Sequence, residues 1–331
     1  MGGGYLYKSL NKDIKEINKI FISLFSIGII CLGIFLGINI TKSSYALFSD
    51  KIVSTNTIEV EISNIFSDYL ISKVGVGGLE EIKRTLDNSL QSPYNKDTVE
   101  YRYRGANPDN YIIFNDELYR IIGVFSVDDG TGNIENRIKI IRNESYGNFL
   151  YDSGANSHDW ARPASLNIEL NSNYYNSIKD EYKVLIENAI YYLGGYTTTA
   201  VSKENIYSYE RKSSGSNYFY TGNYTNWTGK IALMYASDYG YASSSECSSL
   251  LNSYSNCVDD NWLFSGVDEW ILTQYSSYSY SNFHLDNSGV IGTAGVRIPT
   301  NNFDVRPVLY LSSKVIITGG NGSFEEPYTL I

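Results

Sequence analysis

The residue types that carry most enzyme chemistry are scarce in this sequence. It contains 2 His and 3 Cys, too few for a zinc site or another metal site built from His and Cys. His158 precedes Asp159, and His284 lies near Asp286, which are the His–acid pairs that a Ser-His-Asp site needs. The Gly-x-Ser-x-Gly turn of a nucleophile elbow is absent from the sequence. We therefore predict that both histidines occupy exposed polar loops, and that the chain has no catalytic residue, metal or cofactor.

Acidic side chains offer a second kind of chemistry. Hydrolysis of a glycosidic bond needs two carboxylates on opposite sides of one sugar, and four acids flank two of the tryptophans: Asp259, Asp260, Asp268 and Glu269. Spacing in the sequence does not place two of them across a sugar, so a carbohydrate-active enzyme is kept as an alternative. Residues 128–135 also carry many side-chain oxygens, but not in the twelve-residue register of a calcium loop. We predict a hairpin loop there.

Aromatic residues are the best candidates for ligand contact, because their rings stack on sugars and peptides. The chain has 31 Tyr, an excess that an AT-rich genome also produces, so functional tyrosines should form a small cluster. Three tyrosines lie in a Ser-rich segment without apolar periodicity, and two tryptophans precede them. The predicted ligand-binding residues are Trp262, Trp270, Tyr275, Tyr278 and Tyr280. Tryptophans at strand ends often belong to cores, which makes the tyrosines the better probes.

Composition excludes two classes of protein. Lys and Arg number 26 against 36 Asp and Glu, a net charge of −10, whereas a nucleic-acid binder needs a basic face for phosphates. Hydrophobic residues make up 43% and charged residues 19% of the chain, which is typical of a globular protein and not of a disordered one.

Cys247 and Cys257 lie in a polar, Ser-rich segment with no His nearby, so zinc binding or thiol catalysis is not indicated there. We predict a disulfide between them, which would close a short loop and stabilise the fold by about 2.7 kcal/mol on the chain-entropy scale. A structural disulfide is typical of a protein outside the cytoplasm.

The amino-terminal segment predicts membrane targeting. Residues 20–40 carry no charge and as a helix would cover the hydrocarbon core of a bilayer. Lysines 8, 12, 15 and 19 precede this run, which places residues 1–19 inside and the rest of the chain outside. Residues 43–46 (Ser-Ser-Tyr-Ala) place small residues at the positions that a signal peptidase needs. The chain is then either secreted after cleavage or held as a single-pass membrane protein by residues 20–40.

The pattern beyond the leader predicts a stalk at 47–98 and an α+β domain at 99–331. Two short helices are expected over 65–90, the second at Glu80–Leu90, with glycines between them. Period-two alternation then predicts an antiparallel meander, with a tight hairpin at Asn115–Asp116. Apolar spacing over Tyr182–Leu193 predicts an amphipathic helix that Gly194 caps, followed by long loops. Arg306 is expected to order a strand end through a buried ion pair or backbone bonds.

Several motifs carry a resemblance to a known family. They are Arg120–Phe125, Ile138–Arg142, Trp227–Tyr235, Ser237–Ala242, the cysteine pair, Trp262–Leu263, Trp270–Thr273, Val305–Leu311 and Ile317–Gly322. Together they resemble an uncharacterised domain family on surface proteins of gut Gram-positive bacteria. That family looks like a distant relative of the C-type-lectin-like and sulfatase-modifying-factor folds, so the resemblance implies such a fold for 99–331.

The leader carries a second resemblance. Residues 45–50 and 54–57 resemble the leaders of camelysin-type surface and biofilm-fibre subunits, which implies a cut after Ala46. We therefore expect an exported bacterial surface protein that acts as a non-catalytic binding or adhesion module. Its partner would be a glycan, a cell-wall polymer or a surface protein, bound between Trp227 and Asn287. A structural subunit of a surface fibre is the alternative.

Overall fold

The computed structural model describes residues 50–52, 58–60 and 65–331. The predicted membrane-targeting run and the Ala46–Leu47 cleavage site lie outside the described residues. Strands β1 (Asp50–Ile52) and β2 (Ile58–Val60) pair in antiparallel fashion, within a unit distinct from the compact unit Asn64–Ile331. In the described part of the chain, no helix has both the length and the apolar character needed to cross a membrane.

The larger unit combines many short strands with short helices. Its strands are β3 (Leu79–Arg84), β4 (Thr98–Tyr103), β5 (Tyr111–Phe114), β6 (Glu117–Asp128), β7 (Ile134–Arg142), β8 (Gly147–Phe149), β9 (Ala189–Tyr192), β10 (Gly195–Tyr196), β11 (Asn226–Gly229), β12 (Ile231–Ala232), β13 (Glu269–Tyr275), β14 (Ser281–Leu285), β15 (Ile291–Gly295), β16 (Phe303–Val305), β17 (Val308–Tyr310), β18 (Ile317–Gly319) and β19 (Thr329–Leu330). Its helices are α1 (Phe66–Ser72), α2 (Ser165–Glu169), a π-helical turn (Leu170–Tyr174), α3 (Tyr175–Ser177), α4 (Asp180–Lys183), α5 (Lys203–Glu210), α6 (Ala236–Ala242) and a 3₁₀ segment (Leu251–Asp260). The predicted α+β class is confirmed.

Two sheets organise these strands. The first has the order β12-β17-β7-β6-β4-β3, with β5 also paired to β6, and all its pairs are antiparallel. The second has the order β15-β14-β13-β16-β8, with β10 added in parallel to β13. Strands β9 and β11 form one further antiparallel pair, and β18 and β19 form another. The meander predicted from the alternation is therefore the centre of the first sheet.

The hairpin predicted at Asn115–Asp116 is present between β5 and β6. Both residues have positive φ, 56° and 58°, as a two-residue hairpin turn with the twist of its strands requires. Asn and Asp tolerate this left-handed region better than other side chains. The segment 128–135 is likewise a hairpin loop, in which the Asp128 carboxylate accepts bonds from the backbone N–H groups of Gly130 and Gly132, at 2.8 and 3.1 Å.

The helix predicted over Tyr182–Leu193 was wrong. Helix α4 ends at Lys183, and Ala189–Tyr192 forms β9, paired with β11. The aromatic and β-branched residues of this stretch favour a strand once a partner strand is available. Gly194 is not a helix cap, because a Cβ there would lie 2.3 Å from the carbonyl oxygen of Tyr209. The glycine instead permits close approach of two backbones.

The second predicted stalk helix, Glu80–Leu90, was also wrong. Leu79–Arg84 forms β3 and pairs with β4 over six residue pairs, across the boundary that the sequence predicted between stalk and domain. Alternating burial along β3, with Leu79 fully buried, fits a strand. The first predicted helix is present as α1.

Tyrosine contributes heavily to the core of this unit. Fourteen of the 31 tyrosines are buried, and many pack edge to face, such as Tyr94 against Tyr192 and Tyr207. Half of the 28 tyrosines at positions 65–331 therefore lie in the core, and ligand contacts are sought among those that remain exposed.

Candidate functional site

The two tryptophans predicted to contact a ligand lie inside the protein. Trp270 is fully buried and Trp262 is 7% exposed. Each indole N–H donates to a backbone oxygen at 2.8 Å, that of Phe149 for Trp270 and that of Tyr103 for Trp262. Their role as ligand contacts does not fit this burial, because their apolar surface and their polar atom both have partners within the fold.

The predicted tyrosines lie in the turn that joins β13 to β14. Tyr275 is half-buried and packs against Phe283, with ring centroids 6.0 Å apart. Tyr278 and Tyr280 are each 50% exposed. Their rings stack on each other, with centroids 5.3 Å apart and an interplanar angle of 24°. The structure thus separates one structural tyrosine from an exposed aromatic pair.

Two other loops meet this turn. The backbone N–H of His158 donates to the Ser279 oxygen at 2.7 Å, and that of Val296 donates to the Tyr280 oxygen at 2.9 Å. The Asp152 N–H donates to the Val296 oxygen at 3.1 Å. Backbone bonds therefore hold residues 153–157, 276–280 and 296–300 next to one another, and we call these three segments the tyrosine face.

A buried carboxylate holds the first of these loops. Asp152 is 3% exposed and accepts bonds from the backbone N–H groups of Gly154, Ser157 and Ser165, at 3.1, 3.0 and 3.3 Å. The three segments of the tyrosine face contain no acid, and Arg297 is their one charged residue. Its side chain is exposed.

Three of the four acids that flank the two tryptophans have structural partners, and Asp259 is exposed. Glu269 binds Arg306 through two bonds, at 2.9 and 2.8 Å, which confirms the predicted buried ion pair of Arg306. Asp260 accepts from the backbone N–H of Ser244 at 3.1 Å. Asp268 accepts from that of Asn287 at 3.2 Å. Within residues 65–331 and the two short strands before them, no group of three or more His, Cys, Asp or Glu side chains is placed to hold a metal ion.

The predicted disulfide is present. Cys247 and Cys257 are bonded, with Cα atoms 5.9 Å apart. The bond joins Cys247, which precedes the 3₁₀ segment, to Cys257 in the second half of that segment. The nearby Lys203 ammonium donates to the Cys247 oxygen at 2.6 Å.

Sequence reasoning missed a cluster of seven charged side chains in the interior. Its members, which we call the charged core, are Arg84, Glu100, Arg102, Lys139, Glu210, Arg211 and Asp238. All except Arg84 are at most 2% exposed. Burial of this many charges is stable only when each has partners, so the cluster constrains every element that contributes to it.

Two carboxylates of the charged core join strands β4 and β7 to helices α5 and α6. Glu100 accepts from the Arg102 Nε at 3.0 Å and from the Tyr207 hydroxyl at 2.5 Å. Asp238 accepts from the Arg102 Nη1 at 3.0 Å and from the Lys139 ammonium at 2.5 Å. Arg102 therefore bridges both carboxylates.

The third carboxylate, Glu210, accepts from Arg211 at 3.0 Å and from the Ser237 hydroxyl at 2.5 Å. The cations of the charged core also lie over the rings of tyrosine side chains, which stabilises them further. The guanidinium of Arg211 lies 3.7 Å from the centroid of Tyr207, and the ammonium of Lys139 lies 4.4 Å from that of Tyr235.

Contacts with cations lower the pKa of two of the three carboxyl groups of the charged core, whereas burial raises the pKa of Glu210. Burial raises the pKa of a carboxyl group, but Arg102 and Arg84 outweigh burial and hold the pKa of Glu100 at about 2. Burial likewise opposes ionisation of Asp238, and Lys139 and Arg102 still hold its pKa below the usual range. The cluster is sealed from solvent, so its role is structural.

His158 is buried, and the prediction that it sits in an exposed loop was wrong. Its side chain is 0% exposed, and its Nδ1 bonds to the Ser281 oxygen at 2.7 Å. The ring lies under the tyrosine face, edge to face with Tyr220. His284 is half-buried on β14 and stacks on Phe303. Each histidine is therefore a packed residue.

We expect His158 to make the fold sensitive to acid. Burial lowers the pKa of His158 to about 4, from an ordinary value of 6.5, so the unfolded chain binds the proton more readily. Stability should therefore be retained above about pH 6.5 and fall by about 3 kcal/mol as the pH drops from there to about 4. Urea unfolding of the wild type and of His158→Gln from pH 7 to pH 4.5 measures this. The variant should show a shallower loss, and equal slopes would contradict the assignment.

Comparison with known proteins adds no relative. No protein-family model, curated protein or solved structure matches this chain. The candidate site is therefore defined by the geometry of the tyrosine face.

Proposed function

We propose that this protein is an exported bacterial surface protein whose unit 64–331 is a non-catalytic binding module for a glycan. In this proposal the leader directs residues after Ala46 to the outside, and the module acts at the cell surface. The C-type-lectin-like or sulfatase-modifying-factor-like classification of the fold, implied by the sequence resemblance, belongs to the same proposal.

The observation that carries the proposal is the exposed pair Tyr278 and Tyr280. Each ring keeps half of its surface in solvent, in a unit where 14 other tyrosines are buried. A flat aromatic surface of this kind suits the apolar face of a sugar ring, and the phenol hydroxyls suit its hydroxyl groups. Serine and asparagine at 153, 156, 157, 277 and 279 supply further hydrogen-bonding groups around the pair.

The tyrosine face also has a rigid base, which favours binding because little must become ordered. Val296, His158 and Asp152 anchor its three segments through backbone bonds. Beneath it, the β13–β14 pairing joins Gln274 to Asn282. The disulfide Cys247–Cys257 supports the extracytoplasmic location, because structural disulfides persist in oxidising compartments.

Replacement of both exposed tyrosines tests the proposal. Tyr278→Ala with Tyr280→Ala should weaken binding by about 5- to 150-fold, because each stacked ring contributes about 0.5–1.5 kcal/mol. The melting temperature should hardly change, since both side chains are half-exposed. The measurement is binding of the full chain to an array of bacterial and host glycans, and to purified cell-wall polymer.

Phe324→Ala is a matched control, because Phe324 is 63% exposed on a turn outside the tyrosine face. It should leave binding unchanged. Wild-type levels of attachment in the folded double variant would remove the tyrosine face as the site. Tyr275 is left in place, because its ring packs against Phe283.

A further inference from the structure

We infer that the glycan bound by the tyrosine face is acidic, and that Arg297 binds its carboxylate while a sugar ring stacks on Tyr278 or Tyr280. This inference rests on the proposed function and names the chemical class of its ligand. Arg297 was not among the residues that the sequence predicted.

Arg297 differs from the other arginines of the described chain. Eight of the ten at positions 65–331 form ion pairs with a carboxylate: Arg84, Arg102, Arg104, Arg137, Arg142, Arg162, Arg211 and Arg306. Arg120 bonds to the side chain of Asn110 and lies over Tyr111. Arg297 is exposed and has no ion-pair partner among the residues that the structure describes. Its guanidinium is therefore free for a ligand.

The position of Arg297 ties it to the aromatic pair. Ser281 and Gly295 are paired across β14 and β15, and the N–H of Val296 donates to the Tyr280 oxygen at 2.9 Å. Arg297 follows this anchor directly. Arg297 is thus the residue next to a backbone hydrogen bond that Tyr280 accepts.

The local charge favours an anion although the protein is acidic. The chain carries a net charge of −10, but the three segments of the tyrosine face contain no Asp or Glu. The nearby Asp152 is buried, and backbone N–H groups occupy its oxygens. Arg297 is therefore the one charged residue of the tyrosine face, and its charge is positive.

The guanidinium also fits the chemistry of a uronic acid. Its planar fork binds a carboxylate through two parallel hydrogen bonds. A uronic acid carries that carboxylate on a ring whose apolar face can stack on tyrosine. A chain of such sugars presents a ring and an anion at each unit, which suits a surface that carries two exposed rings and one cation.

The test compares two oligosaccharides that differ only in this group. Binding of the full chain to tetragalacturonate and to the galactose tetramer of the same linkage is measured by calorimetry at low and high salt. We expect about tenfold tighter binding of the acidic tetramer at low salt, the effect of one good charge-assisted contact. Added salt should reduce this preference.

Variants test whether Arg297 causes the preference for the acidic tetramer. Arg297→Gln should bind both tetramers equally, with the affinity of the wild type for the neutral one. Lys96→Gln, which removes one positive charge from an exposed loop before β4, should keep the preference. Tyr278→Ala with Tyr280→Ala should weaken binding of both tetramers.

The inference would be overturned by equal affinity of the wild type for the two tetramers, by a preference that survives Arg297→Gln, or by tighter binding of a phosphate-bearing sugar chain than of the uronate. Binding of the neutral tetramer alone, lost in the tyrosine variant, would overturn only the acidic ligand and leave the proposed function standing. Absence of binding to both tetramers overturns the uronate assignment, while the glycan array judges the proposed function separately.

Discussion

Asp238→Ala is expected to destabilise the unit 64–331 by about 3–5 kcal/mol, the usual cost of breaking a buried ion pair. The substitution leaves the Lys139 ammonium and one arm of the Arg102 guanidinium without their carboxylate in a sealed interior. It also removes the acceptor for the backbone N–H of Tyr235 at the start of α6. Because folded proteins are stable by only about 5–15 kcal/mol, the variant should be close to unfolding.

Urea denaturation followed by circular dichroism measures this loss. Asp180→Ala is the matched control, because its carboxylate is 98% exposed and pairs with Lys183 at 3.0 Å, and such pairs contribute less than about 1 kcal/mol. Adding Lys139→Met to Asp238→Ala should recover part of the stability by removing one unpaired charge. An Asp238→Ala protein as stable as the control variant would show that the charged core is not sealed.

Glu269→Ala is expected to have the next largest effect, a loss of about 3 kcal/mol. It leaves the Arg306 guanidinium, which is 7% exposed, with the Leu263 oxygen as its remaining partner at 2.8 Å. This pair joins β13 to the chain entering β17, so its loss should loosen the seam between the two sheets.

A substitution at Arg306 tests whether its ion pair with Glu269 depends only on charge or also on the planar shape of the guanidinium. Arg306→Lys keeps the charge but not the planar fork that makes both bonds to Glu269, so it should also be destabilising. Thermal unfolding of both variants, with Lys314→Ala as an exposed control, gives the comparison. Wild-type stability of Arg306→Lys would show that a single charge contact suffices there.

Local patterns predicted the parts of this fold that depend on neighbours in sequence. Asn115 and Asp116 specify their turn through their own tolerance of positive φ, and the flanking residues alternate as paired strands do. Local periodicity failed to predict secondary structure where pairing with a distant strand determines it. Residues 189–192 satisfy helical spacing, but β11, more than thirty positions later, turns them into a strand.

The charged core shows the same limit for side chains. Glu100 and Arg102 alternate with tyrosines along β4, a pattern that normally places charges in solvent. Both are buried because Asp238, Tyr207 and Arg84 reach them from other elements, which no local pattern reveals.

The candidate site was predictable only in part. A Ser-rich segment without apolar periodicity favours exposed tyrosines, and Tyr278 and Tyr280 are exposed. The same reasoning does not distinguish Tyr275, whose ring packs on a neighbouring strand. Aromatic character alone does not tell a ligand-binding Trp262 or Trp270 from a core residue. No pattern in the sequence pointed to Arg297 as a site residue, because its lack of an acidic partner is a property of the folded structure.

The order of strands in the first sheet has a consequence for how the chain folds. Strand β17, which comes late in the sequence, lies between β12 and β7, and its Tyr310 is paired with Lys139. The first sheet can be completed only after the chain up to residue 310 is available. Contacts between such distant segments make folding slow. The unit should therefore complete this sheet late, when nearly all of the chain is present.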